Sequence, residues 1–136
     1  MITEEIKMLR NLPFLEGAGP DVVERLAEGV IERSFQPGQA ICQEGSTGRE
    51  MYLIVEGLVE VIKGRGVEQM LLARRGRGDL FGEMGLIEAR PRFVTIRALK
   101  PTCLLQFSEH NLRSVLAQQP LLLERIIRVV IPSDAK

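Results

Sequence analysis

Short apolar segments separated by glycine-containing turns run through the middle of this chain and limit its fold more than any other feature. They follow one another at the spacing of about 8–12 residues that is typical of all-β folds. The seven predicted strands are Val30–Phe35, Ala40–Gly45, Glu50–Glu56, Leu58–Lys63, Val67–Ala73, Thr95–Leu99 and Thr102–Phe107. Such strands predict an antiparallel sandwich or barrel and not a parallel α/β sheet, which needs helices between its strands.

Helical patterns lie on both sides of these strands. The sequence predicts one helix over residues 3–10, capped by Thr3, and a second helix that ends at Gly29. Behind the last strand, Ser108 is in position to cap a third helix, which Pro120 interrupts. The predicted fold class is therefore mainly β with flanking helices.

A last helical segment, Leu121–Ile131, is apolar over most of its circumference. Its polar side consists of Glu124, Arg125 and Arg128, with Glu124 and Arg128 at the favourable i,i+4 spacing. A helix that is apolar on two sides needs a partner on each of them. We expect one side to pack on the strands and the other to meet a ligand or a second subunit, so the segment predicts a homodimer contact.

The length of 136 residues suits one domain with one hydrophobic core. We predict a single domain over 1–136. Residues 1–29 form its N-terminal helices, 30–107 its strands and 108–131 its C-terminal helices.

Charge and residue counts argue against several classes of function. The 18 Lys and Arg residues balance 18 Asp and Glu residues, so no overall field attracts nucleic acid or an anionic membrane. One histidine, His110, and two cysteines, Cys42 and Cys103, are too few for a histidine-rich metal site or an iron–sulfur cluster. We therefore expect no metal, no cofactor and no enzymatic activity, and two reduced thiols instead of a disulfide.

The chain also lacks the usual targeting signals. No apolar run approaches the roughly 18 residues that span a bilayer, and the N-terminus has neither the basic start nor the apolar centre of a signal peptide. These features predict a cytoplasmic protein that does not enter a membrane.

One stretch, residues 74–94, interrupts the strand pattern and is rich in glycine and arginine. It is not a Rossmann fingerprint, because Phe81 stands at the third glycine position and the surroundings are antiparallel β. It is not a Walker A loop, because no Lys-Ser or Lys-Thr follows its last glycine. We expect its cluster of Arg74, Arg75 and Arg77 to form a solvated loop.

The same stretch has the groups that an anion site needs. A short helical turn at Glu83–Ile87 would present unpaired N–H groups and the positive end of its dipole. Gly82 and Gly85 allow a ligand to approach the backbone closely, and Arg92 can donate a charge-assisted fork to a phosphate. Glu83 would repel a phosphate but can accept hydrogen bonds from neutral hydroxyl groups. Together these groups predict a site for a ribose phosphate.

The run Phe81–Ile87, followed after four residues by Arg92, closely resembles the phosphate-binding cassette of the cyclic-nucleotide-binding domain family, which includes cAMP receptor protein-like and protein kinase A regulatory-subunit-like domains. The spacing of nine residues from Glu83 to Arg92 also matches. Further segments that fit the family pattern are Phe14-Leu15, Pro37-Gly38, Glu44-Gly45, Met51–Gly57 and Gly78-Asp79.

The resemblance implies an eight-stranded jelly roll, a double-stranded β-helix, that binds cAMP or cGMP as its ligand. It implies that Arg92 pairs with the cyclic phosphate, that Glu83 accepts from the ribose 2′-hydroxyl, and that the N–H groups of Gly85 and Phe93 complete the phosphate cradle. In the family the helix behind the barrel closes over the base, which implies a lid role for Leu121–Ile131. The predicted ligand-binding residues are Gly82, Glu83, Met84, Gly85, Leu86, Arg92 and Phe93.

Phe93 and Val94 depart from the family pattern, which has Ala, Ser or Thr after the arginine and commonly Ala next. Phe93 lacks the hydroxyl of Ser or Thr, and its ring either stacks on the purine or fills part of the purine's space. Two functions therefore stay open. One is a regulatory sensor that signals through its C-terminal helices to an output domain or protein partner. The other is a ligand-free module for dimerisation or scaffolding.

A third expectation concerns transcription regulators, in which this type of domain precedes a helix-turn-helix. After Ile131 the sequence continues for five residues without a recognition helix or a basic arm. We expect no DNA binding by this chain alone.

Overall fold

Two antiparallel sheets of four strands each form the centre of the fold in the computed structural model. The structure describes residues 7, 9, 11, 15, 18–48, 50–82 and 91–121. Its strands are β1 (Ile31–Phe35), β2 (Ala40–Cys42), β3 (Met51–Glu56), β4 (Leu58–Lys63), β5 (Met70–Gly76), β6 (Leu80–Phe81), β7 (Thr95–Ala98) and β8 (Thr102–Phe107). One sheet has the order β1-β8-β3-β6 and the other β2-β7-β4-β5. The predicted fold class, mainly β with a jelly-roll arrangement, is confirmed.

The connection between the fifth and sixth predicted strands contains a further strand that the sequence does not reveal. β6 lies inside the stretch 74–94 and pairs with β3 through Tyr52↔Phe81 and Leu53↔Leu80. A strand of two residues is too short to show an alternating pattern, so only its pairing with β3 identifies it. Within the described residues the structure has eight strands, as the resemblance implies, and not the seven that periodicity predicts.

β5 begins later than the sequence predicts. Residues Gly66–Glu68 form a 3₁₀ turn, which delays the strand to Met70 and extends it to Gly76. Arg74 and Arg75 therefore lie within a strand, and the expectation of a solvated loop is wrong for them. Arg77 does lie in the following turn, where its Nη1 donates to the carbonyl of Val55 at 2.8 Å.

Two helices pack together beside the first sheet, α1 (Pro20–Glu28) and α2 (Glu109–Gln118). The predicted cap of α2 is confirmed, since the Asn111 N–H donates to Ser108 Oγ at 3.3 Å. Asn111 also joins the helices by donating from Nδ2 to the carbonyl of Arg25 at 2.9 Å. A Cβ at Gly29 would lie 2.7 Å from Ser108 Cβ, so the end of α1 needs a glycine to approach α2. The N-terminal helix with its Thr3 cap and the residues 122–131 fall outside the described residues, apart from Lys7 and Leu9, which are helical.

β3 is buried on both faces and separates two apolar clusters. The helix-side cluster comprises Leu9, Leu15, Val23, Leu26, Ala27, Met51, Leu53, Leu80, Leu105, Phe107, Leu112 and Val115. The interior cluster, between the two sheets, comprises Phe35, Cys42, Tyr52, Ile54, Val59, Val61, Phe81, Ile96, Ala98 and Leu104. Alternate residues of one strand enter different clusters because successive side chains point to opposite faces. This explains why β3 reads as a continuous apolar run.

Several smaller expectations can be compared with the structure. Cys42 is buried and Cys103 is half-buried, with its Sγ 3.5 Å from Glu32 Oε1, and His110 is exposed. Within the described residues, no helix has the length and apolar character needed to cross a membrane.

Candidate functional site

The backbone of Arg92 is clamped to the turn that follows β2. Its N–H donates to the carbonyl of Ser46 at 2.7 Å, and its carbonyl accepts from the Gly45 N–H at 2.7 Å. Next to this pair, the Glu44 N–H donates to Thr95 Oγ1 at 2.9 Å. The three bonds tie residues 44–46 to residues 92–95, so the Arg92 side chain starts from a defined position.

The guanidinium of Arg92 lies at the end of the β3–β6 pair. Nη1 donates to the carbonyl of Gly82 at 3.3 Å, and Nη2 donates to the carbonyl of Glu50 at 3.2 Å. Glu50 directly precedes β3 and Gly82 directly follows β6, so the antiparallel register brings both carbonyls to one end. These bonds use two of the five N–H groups of a guanidinium, and among the described residues the other three have no hydrogen-bond partner.

Two glycines make room for this arrangement. Gly82 has a φ of +92°, and a Cβ there would lie 2.4 Å from the Glu50 carbonyl oxygen. A Cβ at Gly48 would lie 2.9 Å from Nη2 of Arg92. Residues with side chains would therefore push β6 away from β3 at the first position and displace the guanidinium at the second.

Cys42 and Tyr52 of the interior cluster lie within electrostatic range of Arg92. Burial raises the pKa of the Cys42 thiol to about 11, while the charge of Arg92 opposes and that of Glu50 adds to this change. Burial likewise raises the pKa of Tyr52 to about 12, and its ring stacks on Phe81 with centroids 5.0 Å apart. Both groups are neutral at physiological pH, so they add no negative charge near Arg92.

Phe93 is not part of the interior cluster, and 49% of the residue is exposed. Its carbonyl accepts a hydrogen bond of 2.8 Å from Lys63 Nζ, and the same ammonium lies 5.8 Å from the centre of the ring. The end of β4 is fixed in turn, because the Gly64 N–H donates to Glu44 Oε1 at 2.9 Å. Phe93 is therefore an exposed aromatic face beside Arg92 with a cation next to it.

Three of the seven predicted site residues, Gly82, Arg92 and Phe93, are described and lie at the same end of the sandwich. Glu83, Met84, Gly85 and Leu86 lie outside the described residues. For the described part of the chain, no cluster of three His, Cys, Asp or Glu side chains is suited to a metal ion.

The sequence gives little sign of the groups that support Arg92. Glu50 contributes through its backbone carbonyl, which any residue possesses, and Gly48 belongs to an ordinary turn-rich segment. The sequence around Cys42 predicts only a buried thiol in a strand and does not indicate that it lies near Arg92. Their proximity to Arg92 results from strand pairing across 40 or more residues, which local patterns do not encode.

Comparison with known proteins identifies the family. The family model for the cyclic nucleotide-binding domain matches residues 32–119. Among curated proteins, the chain is 28% identical over 125 residues to cyclic nucleotide-gated channel alpha-4 of Mus musculus, covering 88% of this chain and 21% of the channel. It is 30% identical over 96 residues to the cAMP-dependent protein kinase regulatory subunit of Mycosarcoma maydis, covering 71% of this chain and 18% of that protein. The chain thus spans about a fifth of these relatives, which are a channel and a regulatory subunit.

Solved structures show the same fold. The catabolite activator protein of Thermus thermophilus superposes with a TM-score of 0.76 at 26% identity, covering 88% of this chain and 57% of that one. The regulatory subunit of a cAMP-independent protein kinase A from Trypanosoma cruzi, bound to guanosine, superposes with a TM-score of 0.74 at 27% identity, covering 84% and 41% respectively.

Proposed function

The chain belongs to the cyclic nucleotide-binding domain family, and on that premise we propose that it is a regulatory sensor that binds cAMP or cGMP at Arg92. The observation that carries this proposal is the half-buried guanidinium held by the carbonyls of Glu50 and Gly82. Holding the side chain in place before the ligand arrives lowers the entropy that binding costs. A cyclic phosphate would take the remaining N–H groups in charge-assisted hydrogen bonds.

The roles of the other cassette residues remain part of the proposal. Glu83 would accept from the ribose 2′-hydroxyl, and the N–H groups of Gly85 and Phe93 would contact the phosphate. Met84 and Leu86 would contribute to the wall of the same pocket. The ligand is a signal and not a cofactor, and we propose no catalytic step.

We further propose that the Phe93 ring is a platform for the purine. The ring is exposed beside Arg92, and its backbone is held by Lys63. An aromatic face of this kind stacks on any base, with about 1–3 kcal/mol for each stacked base. Phe93→Ala should then weaken binding about tenfold, while Phe93→Trp should retain it. A gain of affinity in Phe93→Ala would mean that the ring obstructs the purine, and would overturn the platform role.

Signalling would run through the helices. Binding would shift the population of positions available to the segment Leu121–Ile131, which follows α2, and an output domain or protein partner in the cytoplasm would respond to that shift. A membrane or DNA contact by this chain forms no part of the proposal.

A second function is favoured by one observation, the exposure of Leu121, of which 64% is open to solvent. An exposed leucine at the start of that segment suits a ligand-free module that dimerises or acts as a scaffold through Leu121–Ile131. Such a module would have the same mass with and without nucleotide.

Titration calorimetry with the 136-residue chain separates these functions. The ligands are cAMP, cGMP, 5′-AMP as a non-cyclic control, and guanosine, which lacks a phosphate. We expect the titration to show binding of one cyclic nucleotide. In a thermal melt, the same nucleotide at about 100 times its Kd should raise the Tm by several degrees. Guanosine binding without cyclic-nucleotide binding would indicate a nucleoside sensor, and no binding at all would favour the scaffold.

Variants of Arg92 test the anion contact. Arg92→Ala should weaken cyclic-nucleotide binding about 100-fold, because a buried phosphate would lose its charged partner. Arg92→Lys keeps the charge but loses the fork, so it should recover only part of the affinity. Arg113→Ala, in the exposed pair of α2 with Glu109, is the matched control and should bind normally. Equal affinities for Arg92→Ala and the control would remove Arg92 from the site.

A further inference from the structure

An apolar patch lies on the edge strand β5 and the turn before it. Of the seven large hydrophobic residues that are exposed in the described part of the chain, four lie between positions 67 and 72. They are Val67, Met70, Leu71 and Leu72, with 104%, 62%, 49% and 38% exposure. We call this set the β5 patch. Single exposed apolar residues are common, but four in six positions mark a contact surface.

The β5 patch is open on both faces of the sheet. Met70 pairs with Lys63 and Leu71 pairs with Ile62, and successive strand residues point to opposite faces. Leu71 thus lies on the face of the buried Ile62, and Met70 on the face of the exposed Lys63. A flat surface such as a lipid bilayer would cover only one of these side chains. A strand added at the edge would cover both.

The edge itself offers hydrogen bonds to such a strand. β5 is the last strand of its sheet, and an edge strand carries a row of backbone groups that its own sheet does not pair. Many edge strands avoid association by placing charges there, yet positions 70–72 are all apolar. The register shift between Val61 and Ile62 places a bulge at this point, which twists the strand but leaves the apolar side chains exposed.

We propose that β5 pairs antiparallel with β5 of a second copy of this chain, about a two-fold axis at Leu71. Residues equally far from the axis on its two sides then face each other, so Leu71 meets Leu71 and Met70 meets Leu72. By the same rule, Arg74 of each copy comes level with Glu68 of the other. A two-fold contact uses one patch twice, so it must be complementary to itself. The β5 patch has an apolar centre, an acidic end and a basic end, which meets that condition.

The contact should be weak. Stable interfaces bury about 1,200–2,000 Å² in total, and one short strand pair with its side chains covers less. We therefore expect a dimer with a Kd of about 100 µM that forms without nucleotide. This inference does not depend on the proposed ligand, so either can fail alone.

Sedimentation equilibrium of the nucleotide-free chain from about 10 µM to 1 mM tests the pairing. We expect the mass to rise towards that of a dimer. Leu71→Lys should weaken association at least about tenfold, because it places a charge in the apolar centre. Ile31→Lys, an equally exposed site at 55% on the edge strand β1 of the other sheet, is the matched control and should associate normally. A monomer over the whole range, or a dimer that Leu71→Lys does not change, would overturn the proposal.

Charge reversal tests the register. Glu68→Arg and Arg74→Glu should each weaken association about tenfold, since each creates two like-charge pairs in the dimer. The double variant should restore it to within about twofold. Arg74 lies opposite Glu60 on β4, so Arg74→Glu places two carboxylates opposite each other within the monomer. A thermal melt checks that this variant is folded. If it is not, Glu68→Arg alone still tests the register. If the double variant does not regain dimer association, this register is wrong. If the monomer instead binds anionic vesicles through Leu71, a membrane and not a second copy of the chain covers the β5 patch.

Discussion

The helix-side cluster and the interior cluster are equally well buried, but they differ in what surrounds them. The helix-side cluster is made of apolar side chains and is covered by α1 and α2. The interior cluster contains Cys42 and Tyr52, whose pKa values respond to Arg92. We therefore expect one face of β3 to serve stability alone and the other also to support the candidate site. Changes on the two faces should have different consequences for binding.

Neighbouring residues of β3 provide the strongest test of this difference. Leu53→Ala and Tyr52→Ala should each lower the free energy of unfolding by about 3–5 kcal/mol, because each leaves a cavity. Leu53→Ala should leave the Kd for cyclic nucleotide unchanged below its Tm. Tyr52→Ala should weaken binding, since Tyr52 stacks on Phe81, which precedes Gly82. Denaturant titration and calorimetry at about 10 °C measure both quantities, and equal losses of affinity would contradict the division.

Two glycines with the same backbone angle test how tightly the site end is packed. Gly82 and Gly38 have φ values of +92° and +91°, but a Cβ added at Gly82 would meet atoms within 4 Å, whereas one added at Gly38 would meet none. Gly38→Ala should cost about 1 kcal/mol from backbone strain alone, and Gly82→Ala about 3 kcal/mol with loss of ligand binding. Urea titration compares the two. Similar losses in the free energy of unfolding would mean that β3 and β6 can move apart at this end to make room for the added methyl group.

Alkaline pH should destabilise the interior cluster selectively. The folded pKa values of Cys42 and Tyr52, about 11 and about 12, lie above their ordinary values of 9.0 and 10.0. The folded state then holds protons that the unfolded state has lost, so stability is full below about pH 9 and falls as the pH rises towards about 12. We expect a loss of about 2–3 kcal/mol by about pH 11.

The double variant Cys42→Val, Tyr52→Phe checks that origin. It should flatten the decline between about pH 9 and pH 11 in urea titrations, because neither replacement ionises. A decline as steep as that of the parent chain would assign the effect to other groups, such as lysines.

The smallest expected effect lies on the helix side. Ser108→Ala removes the acceptor for the Asn111 N–H and should cost about 1 kcal/mol, with no change in nucleotide affinity. Ser34→Ala, at an exposed position of β1, is the control and should change stability by less than about 0.5 kcal/mol. Thermal melts in both variants measure the difference. A loss of affinity in Ser108→Ala would show that the helix side also acts on the site.

The ends of a strand were predictable where turn residues lie next to them in the sequence. β4 and β8 have the predicted limits, because Gly57 and Gly64 end the apolar pattern around β4 and Pro101 precedes β8. The predicted start of β5 is three residues too early because Val67 continues the apolar pattern into a 3₁₀ turn. β6 escapes prediction because two residues carry no periodicity. Propensity and patterning describe a neighbourhood of a few residues, and these errors arise where distant pairing decides the outcome.

The candidate site divides in the same way. Arg92, Gly82 and Phe93 were predictable as candidates because they lie in one local motif with a recognisable spacing. The groups that support the Arg92 guanidinium were not predictable. They are the carbonyls of Glu50 and Gly82, which accept its hydrogen bonds, and Gly48, which leaves room beside it. A backbone carbonyl has no residue type to identify it.

By itself, the sequence determined the fold class, the family, and the local motif that carries the arginine, since alternation, turn residues and motif spacing are short-range properties. Only the tertiary structure decided which face of β3 meets the helices, which carbonyls hold Arg92, and which apolar strand lies at an open edge. These depend on strand pairing between residues far apart in the chain, where the free energy comes from contacts that no local segment can form alone.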